Sequence, residues 1–428
     1  MPDPPPTPTP PAATQGAPDG PSMRNLTRYF LKIGATGFGG PVALVGFMHR
    51  DLVEGRKWFS EDEFQLSVTL AQIMPGPLAA QLAIALGYFR YRTLGATLAG
   101  LAFVGPSFFM VVALSILYVA YHGLWWVQAL FYGIGSIVIA IIAVAAIRLA
   151  KGNNKKDPLL WTIFAALLAL TVGFQAELAL AFILAGLAVI LLRAPPRWLK
   201  REAAAPAFLP PWLAAAFPGL DGLTAWVAQH LWVNEFLFFA KASAFVFGSG
   251  LAIIPFLHEG VVDQHHWLTE PQFLDAVAVA LITPGPVVIT VAFIGYIIGY
   301  ATGGGLATGL LGATVAAFGM FLPVWLFTVV PAPWFQKHRQ HPQLKAFAAG
   351  ATSAATGAMA GAVVILGWRT FQGLPTLAVG PLTLRTLPPV ILGLAALPLL
   401  WWKKVSEPIL VLAGGCVGLA LFAVGRVS

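Results

Sequence analysis

The chain has 428 residues, of which 58% are hydrophobic and only 10% are charged. Soluble domains carry about 25% charged residues, so this composition excludes a string of ordinary soluble domains. The net charge of +8 lies mostly in short loops beside apolar runs, which is typical of cytoplasmic loops rather than of a nucleic-acid-binding surface. The single cysteine, Cys416, excludes an internal disulfide and a multi-cysteine metal site.

The chain begins with a polar segment that precedes the first apolar run. Residues 1–21 hold nine of the 34 prolines and lack the apolar core of a signal peptide, so we predict a disordered tail. The runs Thr93–Tyr121, Leu124–Ile147 and Leu344–Trp368 are each near or above the roughly 20 residues that span a bilayer. We therefore predict an all-α polytopic membrane protein embedded in a lipid bilayer.

A Pro-Gly-Pro motif interrupts this apolar pattern twice. It occurs at Pro75–Pro77 and again at Pro284–Pro286, 209 residues later, and the residues before it match at the same spacing without a gap. Matched pairs are Phe30/Phe239, Lys32/Lys241, Phe38/Phe247, Gly39/Gly248, Trp58/Trp267, Glu61/Glu270 and Phe64/Phe273. A match of this length indicates an internal duplication. We predict a first repeat at residues 22–193, a linker at 194–232 and a second repeat at 233–428.

Loop charge indicates how the two repeats are oriented. Residues 49–57 carry three Lys or Arg residues and the matching loop 258–269 carries none. The bias reverses later, because residues 121–124 are uncharged and the matching segment 337–345 carries three. Since basic loops favour the cytoplasmic side, this reversal predicts an inverted-topology repeat.

A consistent topology follows if each Pro-Gly-Pro segment is a broken, re-entrant helix hairpin. Each half then has five full crossings, so the second half starts from the opposite face. Arg24 and Arg28 do not fit, because they would lie outside. Either the charge rule fails there, or an amphipathic segment at residues 22–32 lies along the membrane.

The hairpins predict a binding site for a small anion. Irregular backbone at membrane depth occurs where it lines a cavity, and broken helices at matching positions of two halves indicate a transport site. Proline suits the first position of a helix, whose N-terminus attracts anions, and glycine permits close approach. Two lysines at one repeat position would add positive charge. The candidate anion ligands are Lys32, Gly39, Gly40, Gln72, Gly76, Pro77 and Gln81 in the first half, and Lys241, Gly248, Ser249, Thr283, Gly285, Pro286 and Thr290 in the second.

Other interpretations of these residues stay open. The motif could merely kink a helix for packing, and both lysines could snorkel to the membrane surface. Asp275 could carry a coupling proton, although its counterpart in the first half is Leu66. The histidines and acids at residues 258–266 lack the helical spacing of a zinc site and are better explained as a solvated loop. We therefore expect neither a metal nor a cofactor.

The motifs resemble the chromate ion transporter (CHR) family in its long, two-domain form. The resemblance rests on Phe38-Gly-Gly-Pro41, on Ala71-Gln-x-x-Pro-Gly-Pro77 with Gln81, and, in the second half, on Phe247-Gly-Ser-Gly250 and Thr283-Pro-Gly-Pro286, and it covers about residues 24–426. It implies a multi-pass inner-membrane protein that exports chromate, confers chromate resistance and draws on the proton-motive force. Sulfate, an isosteric dianion, is a further implied substrate, and a homodimer is an assembly left open.

Two other function classes remain beside a secondary transporter. One is an anion channel, and the other is a membrane sensor or enzyme that uses the same cavity without moving a substrate. An enzyme would need a cluster of chemically active side chains at membrane depth, and the sequence offers little beyond Asp275 and Glu177. The chain has no Walker motif, so we expect no ATP-driven pump within it.

Overall fold

A computed structural model describes most of the chain outside the tail and the linker. The described residues are 20–38, 40–121, 124–174, 179–195, 230–244, 246, 250–338, 342–373, 377–379, 382–384, 387–401, 405–424 and 426–427. These residues are almost entirely helical, in agreement with the predicted all-α membrane protein. The predicted disordered tail and most of the predicted linker lie outside the described residues, as does Glu177.

The first half contains seven described helices. They are α1 (Met23–Thr36), α2 (Gly40–His49), α3 (Glu61–Ile73), α4 (Leu78–Tyr121), α5 (Trp125–Asn154), α6 (Pro158–Phe174) and α7 (Ala179–Arg193). A single π-helical turn, Arg50–Gly55, follows α2.

The second half repeats this order and adds a small sheet. Its helices are α8 (Leu231–Ser243), α9 (Ile254–His258), α10 (Glu270–Ile282), α11 (Thr290–Gly299), α12 (Gly305–Val329), α13 (Ala332–His338), α14 (Pro342–Gly373), α15 (Leu387–Trp401) and α16 (Glu407–Val424). Short 3-10 turns lie at Gly250–Ile253 and Val287–Ile289, and π turns at Glu259–Gln264 and Tyr300–Gly304. The strands β1 (Leu377–Val379), β2 (Leu382–Leu384) and β3 (Arg426–Val427) pair antiparallel in the order β2-β1-β3, a minor departure from an all-helical chain.

Four described segments are long and apolar enough to cross a membrane by length and composition: Leu78–Tyr121, Trp125–Asn154, Val287–Gln336 and Pro342–Trp368. Shorter apolar helices accompany them. Large apolar side chains such as Leu101, Phe109 and Phe318 are more than half exposed on these segments. Such surface is expected to face lipid rather than water.

The helix α4 consists of two segments that meet at Tyr91 and Arg92. Both residues have non-helical backbone angles, and Arg92 has a φ of 55°. Arg90 and Arg92 make this break basic, as is typical of a short loop beside the membrane. In the second half the matching change of direction uses Gly303, with a φ of 87°.

The two halves pack into one another rather than forming separate bundles. Helix α14 of the second half lies against α5, α6 and α7 of the first. Small residues allow this close approach, since a Cβ on Gly357 would lie 2.3 Å from the Phe164 carbonyl oxygen. The buried Ser353 hydroxyl donates to the Leu160 carbonyl at 2.5 Å across the same interface. A large buried hydrophobic cluster therefore contains residues of both halves.

Candidate functional site

The candidate site is built from one local structure that occurs in both halves. A π turn leads into a helix whose first turn is fixed by a capping box, formed by Ser60 and Glu63 in α3 and by Thr269 and Gln272 in α10. Each box satisfies two N–H groups that a helix start leaves unpaired. The Ser-x-x-Glu and Thr-x-x-Gln spacings of these boxes are visible in the sequence. The repeat thus places both Pro-Gly-Pro segments at the far end of a helix with a fixed start.

A histidine bracketed by two carboxylates ties each π turn to the following helix. His49 lies 3.2 Å from Glu54 through Nδ1 and 2.7 Å from Glu61 through Nε2. His258 lies 3.4 Å from Asp263 and 2.8 Å from Glu270 through the same two atoms. Hydrogen bonds from Gln65 and then from His49 lower the pKa of the exposed Glu61 carboxyl.

The prediction of a solvated loop is wrong for His258, whose side chain is only 6% exposed and packs edge-on against Phe273. No group of three or more potential ligands that could hold a metal ion occurs among the described residues. The sequence suggested a loop because the carboxylate partners lie 5 and 12 residues away, a spacing with no helical period. The bracket is therefore a structural contact that is repeated in each half.

Each Pro-Gly-Pro segment ends one helix and starts another. Helix α3 ends at Ile73 and α4 starts at Leu78, while α10 ends at Ile282 and a 3-10 turn starts at Val287. Gly76 and Gly285 have φ values of 142° and 101°, which side-chain-bearing residues rarely adopt. A Cβ on Gly285 would lie 1.9 Å from the Ser107 Oγ, so the turn also approaches α4 closely.

The two turns are joined crosswise to the opposite halves. The Gly76 N–H donates to the Val246 carbonyl at 2.6 Å, and the Gly285 N–H donates to the Gly37 carbonyl at 2.9 Å. Gly76 and Gly285 are 209 residues apart, and so are Gly37 and Val246. These two bonds are therefore the same interaction made once in each direction. They also occupy the two glycine N–H groups, which the sequence analysis left available to an anion.

Further backbone N–H donors follow each turn, at the start of the next helical segment. The first bond of α4 runs from the Gln81 N–H to the Pro77 carbonyl, and in the second half the Ile289 N–H donates to Pro286. The N–H groups of residues 78–80 and 287–288 thus precede the intrahelical bonds. Groups in this position, with the helix dipole behind them, suit an anion.

The polar candidates near the turns differ in what they offer. The buried Gln81 donates from Nε2 to the Pro75 carbonyl at 2.8 Å, and its Oε1 has no hydrogen-bond partner among the described residues. The Thr283 hydroxyl donates to Ala280, and the Thr290 hydroxyl donates to Val287. Both threonine protons are thus engaged by carbonyls in their own helical turns. Gln72 is exposed on α3, away from the buried face of that helix.

The candidate lysines lie on the helices that precede Gly37 and Val246, whose carbonyls accept the crossed bonds. Lys32 is on α1 and Lys241 is on α8, and both are exposed. Arg24, Arg28 and Lys32 follow one another at four-residue intervals on an exposed face, opposite the buried Leu26, Tyr29 and Phe30. This amphipathic arrangement supports the alternative in which residues 22–32 lie along the membrane surface. The Nζ of Lys241 lies 5.8 Å from the centre of the Phe256 ring.

The glycine-rich segment of the candidate site is only partly described. Gly40 is the first residue of α2, whereas Gly39, Gly248 and Ser249 lie outside the described residues. Pro77 and Pro286 are both buried beside the turns. The described part of the site thus consists of the two turns and the helix starts after them.

Two buried carboxyls lie in the second half. Asp275, on α10, accepts a hydrogen bond of 2.7 Å from the Tyr118 hydroxyl of α4. Glu235, on α8, is fully buried, and neither of its carboxyl oxygens has a hydrogen-bond partner among the described residues. Neither Glu235 nor Tyr118 is among the site residues predicted from the sequence. The signal for Glu235 was present, because it is the only acid in the apolar stretch 231–240.

Comparison with known proteins gives a consistent result over nearly the whole chain. The family described as "Chromate transporter" matches residues 24–192 and 233–419. The chain is 49% identical over 401 residues to the "Chromate transport protein" of Cupriavidus metallidurans, covering 94% of each chain. It is 48% identical over 408 residues to the "Probable chromate transport protein" of Synechococcus elongatus, covering 94% of this chain and 96% of the relative. A "Chromate transport protein" of Pseudomonas aeruginosa is 30% identical over 422 residues. No solved structure matches.

Proposed function

The chain belongs to the chromate transporter family, and from this premise we propose that it exports chromate from the cytoplasm across the inner membrane and so confers chromate resistance. The relatives named above are transport proteins that cover more than nine-tenths of the chain. The long apolar helices support a multi-pass membrane protein. Movement out of the cytoplasm is the proposed direction, driven by the proton-motive force.

The observation that carries this proposal is the crossing of the two Pro-Gly-Pro turns. Each turn donates to a carbonyl of the other half, through residues that are equivalent in the repeat. Reciprocal contacts of this kind arise when two similar units are related by a two-fold rotation. Together with the reversed loop charge, they support an inverted-topology repeat with its axis in the membrane plane.

This arrangement supports alternating access. In inverted repeats the substrate site lies at the interface of the halves, and transport occurs as one repeat rocks against the other. The crossing of the turns is such an interface. We propose that the two hairpins close the path to each side in turn while the site itself stays fixed.

The proposed anion site uses the helix starts after the turns. The N–H groups of residues 78–80 and 287–288 bind the oxyanion, and the Nε2 of Gln81 offers a further donor. Lys32 and Lys241 supply positive charge at the approaches. The two glycines shape the turns rather than bind the anion, because their N–H groups already donate to the opposite half.

Sulfate is proposed as a weaker or competing substrate of the same site. Sulfate and chromate share charge and tetrahedral shape, and backbone donors discriminate poorly between near-isosteric ligands. Coupling to protons is assigned to Asp275, whose carboxyl accepts from Tyr118 in the core between the halves.

Chromate uptake into inside-out membrane vesicles tests the proposal. We expect accumulation that requires an acid-inside proton gradient and that is reduced by excess sulfate. Uptake that follows the chromate gradient alone, and that is unaffected by collapse of the proton gradient, would indicate a channel. Absence of uptake under every gradient, with the protein shown to be folded, would contradict chromate transport and would favour a non-transporting sensor or enzyme.

A further inference from the structure

Glu235 is a buried acid that none of the foregoing contacts explains. It lies on α8, it is fully buried, and neither carboxyl oxygen has a hydrogen-bond partner among the described residues. Burial of an unpaired carboxylate in an apolar environment costs several kcal/mol, on the order of the whole stability of many proteins. The neutral, protonated carboxyl is the form that this environment favours.

Among the described residues of the helices packed against Glu235, none is a cation that pairs with it. Helix α8 packs against α12, which has no acidic, basic, histidine, tyrosine or cysteine residue along its length. The neighbouring helix α11 contributes Tyr296 as its one titratable residue, and its ring lies against Gly309. On α8 itself the other titratable residue is the exposed Lys241, six positions away. Phe238 lies about one turn after Glu235 on α8. The His265 ring packs edge-on against it, with 5.6 Å between the ring centres.

The fold makes room for this carboxyl. Its Oε1 lies 2.7 Å from the position that a Cβ on Gly295 would occupy, so the acid is seated against the bare backbone of α11. The repeat supplies an internal comparison, because Leu26 stands 209 residues earlier and is 2% exposed. An apolar side chain therefore meets the packing needs of this position. The acid at residue 235 calls for another explanation.

Glu235 is placed beside the helix that follows the second Pro-Gly-Pro turn. Helix α11 contacts Glu235 through Gly295 and the Tyr118 ring through Phe293, at 5.0 Å between ring centres. Residues two positions apart in a helix, such as Phe293 and Gly295, are separated by about 200° of rotation. These two contacts therefore lie on opposite faces of α11. Since Tyr118 donates to Asp275, two buried carboxyl systems flank the helix that directly follows the proposed anion site at residues 287–288.

We propose that Glu235 is a proton-binding site of the transport cycle, acting with Asp275 across α11. This inference rests on the proposed proton-driven export. The carboxyl takes up a proton from water on the outer side and returns it to water on the cytoplasmic side, with no other bond made or broken. The empty protein returns to the cytoplasmic side with Glu235 protonated, since an unpaired carboxylate is costly to bury, and the proton leaves there as the dianion binds. The proton and the anion are thereby linked and move in opposite directions.

The test is the substitution Glu235→Gln, which keeps the shape and neutrality of the protonated acid. We expect chromate accumulation driven by a proton gradient to fall at least tenfold, while exchange of labelled for unlabelled chromate without a gradient stays within about twofold of wild type. The exposed acid Asp62 provides the control, because Asp62→Asn should leave both activities unchanged. Wild-type accumulation by Glu235→Gln would overturn the proposal.

A second measurement does not depend on transport. Infrared spectroscopy of the purified protein in lipid should show a C=O stretch of a protonated carboxyl at neutral pH that is lost in Glu235→Gln. Persistence of an identical band in the variant would contradict the assignment. Glu235→Leu, which imitates Leu26, should also fold and lose the band. If wild type moves no chromate, the proposed function fails, and the band still decides whether Glu235 holds a proton.

Discussion

The two halves of the molecule share a scaffold and differ in their charged interior. Both have a π turn, a histidine bracket, a capping box and a Pro-Gly-Pro turn at equivalent positions. The second half alone places acids at two buried positions, Glu235 and Asp275, where the first half has Leu26 and Leu66. The shared elements form the crossed hydrogen bonds between the two Pro-Gly-Pro turns. The two acids of the second half bear on proton coupling, because ionisable groups within a membrane are costly and generally functional.

The largest effect is expected from the turn glycines, and it should differ between the halves. A Cβ on Gly285 would meet the Ser107 Oγ at 1.9 Å, whereas a Cβ on Gly76 would meet the flexible end of the Gln81 side chain at 2.7 Å. Both positions have a φ that disfavours a side chain, at a cost of about 1–3 kcal/mol. We expect Gly285→Ala to abolish most chromate uptake and Gly76→Ala to reduce it less.

Uptake measured at matched membrane abundance checks this order. Gly105→Ala is the control, since a Cβ there would meet no atom within 4 Å. Full activity in Gly285→Ala would mean that the turn tolerates a side chain and does not need its close approach to α4.

The lysines are expected to affect chromate transport less than the turn glycines, and the two lysines should again differ from each other. Removal of Lys241 should raise the KM for chromate about tenfold, or about 1.4 kcal/mol, by loss of attraction to the dianion. Removal of Lys32 should matter less, because Arg24 and Arg28 leave positive charge on the same exposed face. Initial rates over a range of chromate concentrations measure this, with Lys241→Arg as the control that keeps the charge. An unchanged KM in Lys241→Ala would remove this lysine from the site.

The smallest effect on chromate transport is expected from the histidine brackets, whose loss should act on stability. His258→Gln would remove the imidazole that bridges the partly buried Asp263 and Glu270, and we expect a loss of about 1–3 kcal/mol in stability. His49→Gln should cost less, since Glu54 and Glu61 are more than half exposed. Thermal unfolding in detergent compares the two. Equal losses of stability in the two variants would show that burial does not set the strength of the bracket. Adding Glu270→Gln to His258→Gln should recover part of the lost stability.

The sequence predicted the local structure of the repeats better than the contacts between them. The capping boxes, the interruption of the helix at Pro75–Pro77 and the break near Arg92 depend on neighbouring residues, so their patterns are visible in the chain. The crossed bonds from Gly76 and Gly285 join residues in different halves, and no local pattern reveals them. Burial of His258 was missed for the same reason, since its partners come from the following turn and helix.

The inverted relationship of the halves is the claim on which alternating access depends, and cysteine labelling tests it most directly. In a Cys416→Ala background, single cysteines at residues 261–266 and at 338–343 would be treated in sealed vesicles with a membrane-impermeant thiol reagent. We predict labelling of the two groups from opposite faces. Labelling of both groups from one face would contradict the inverted repeat, and with it the rocking of one half against the other around the crossed turns.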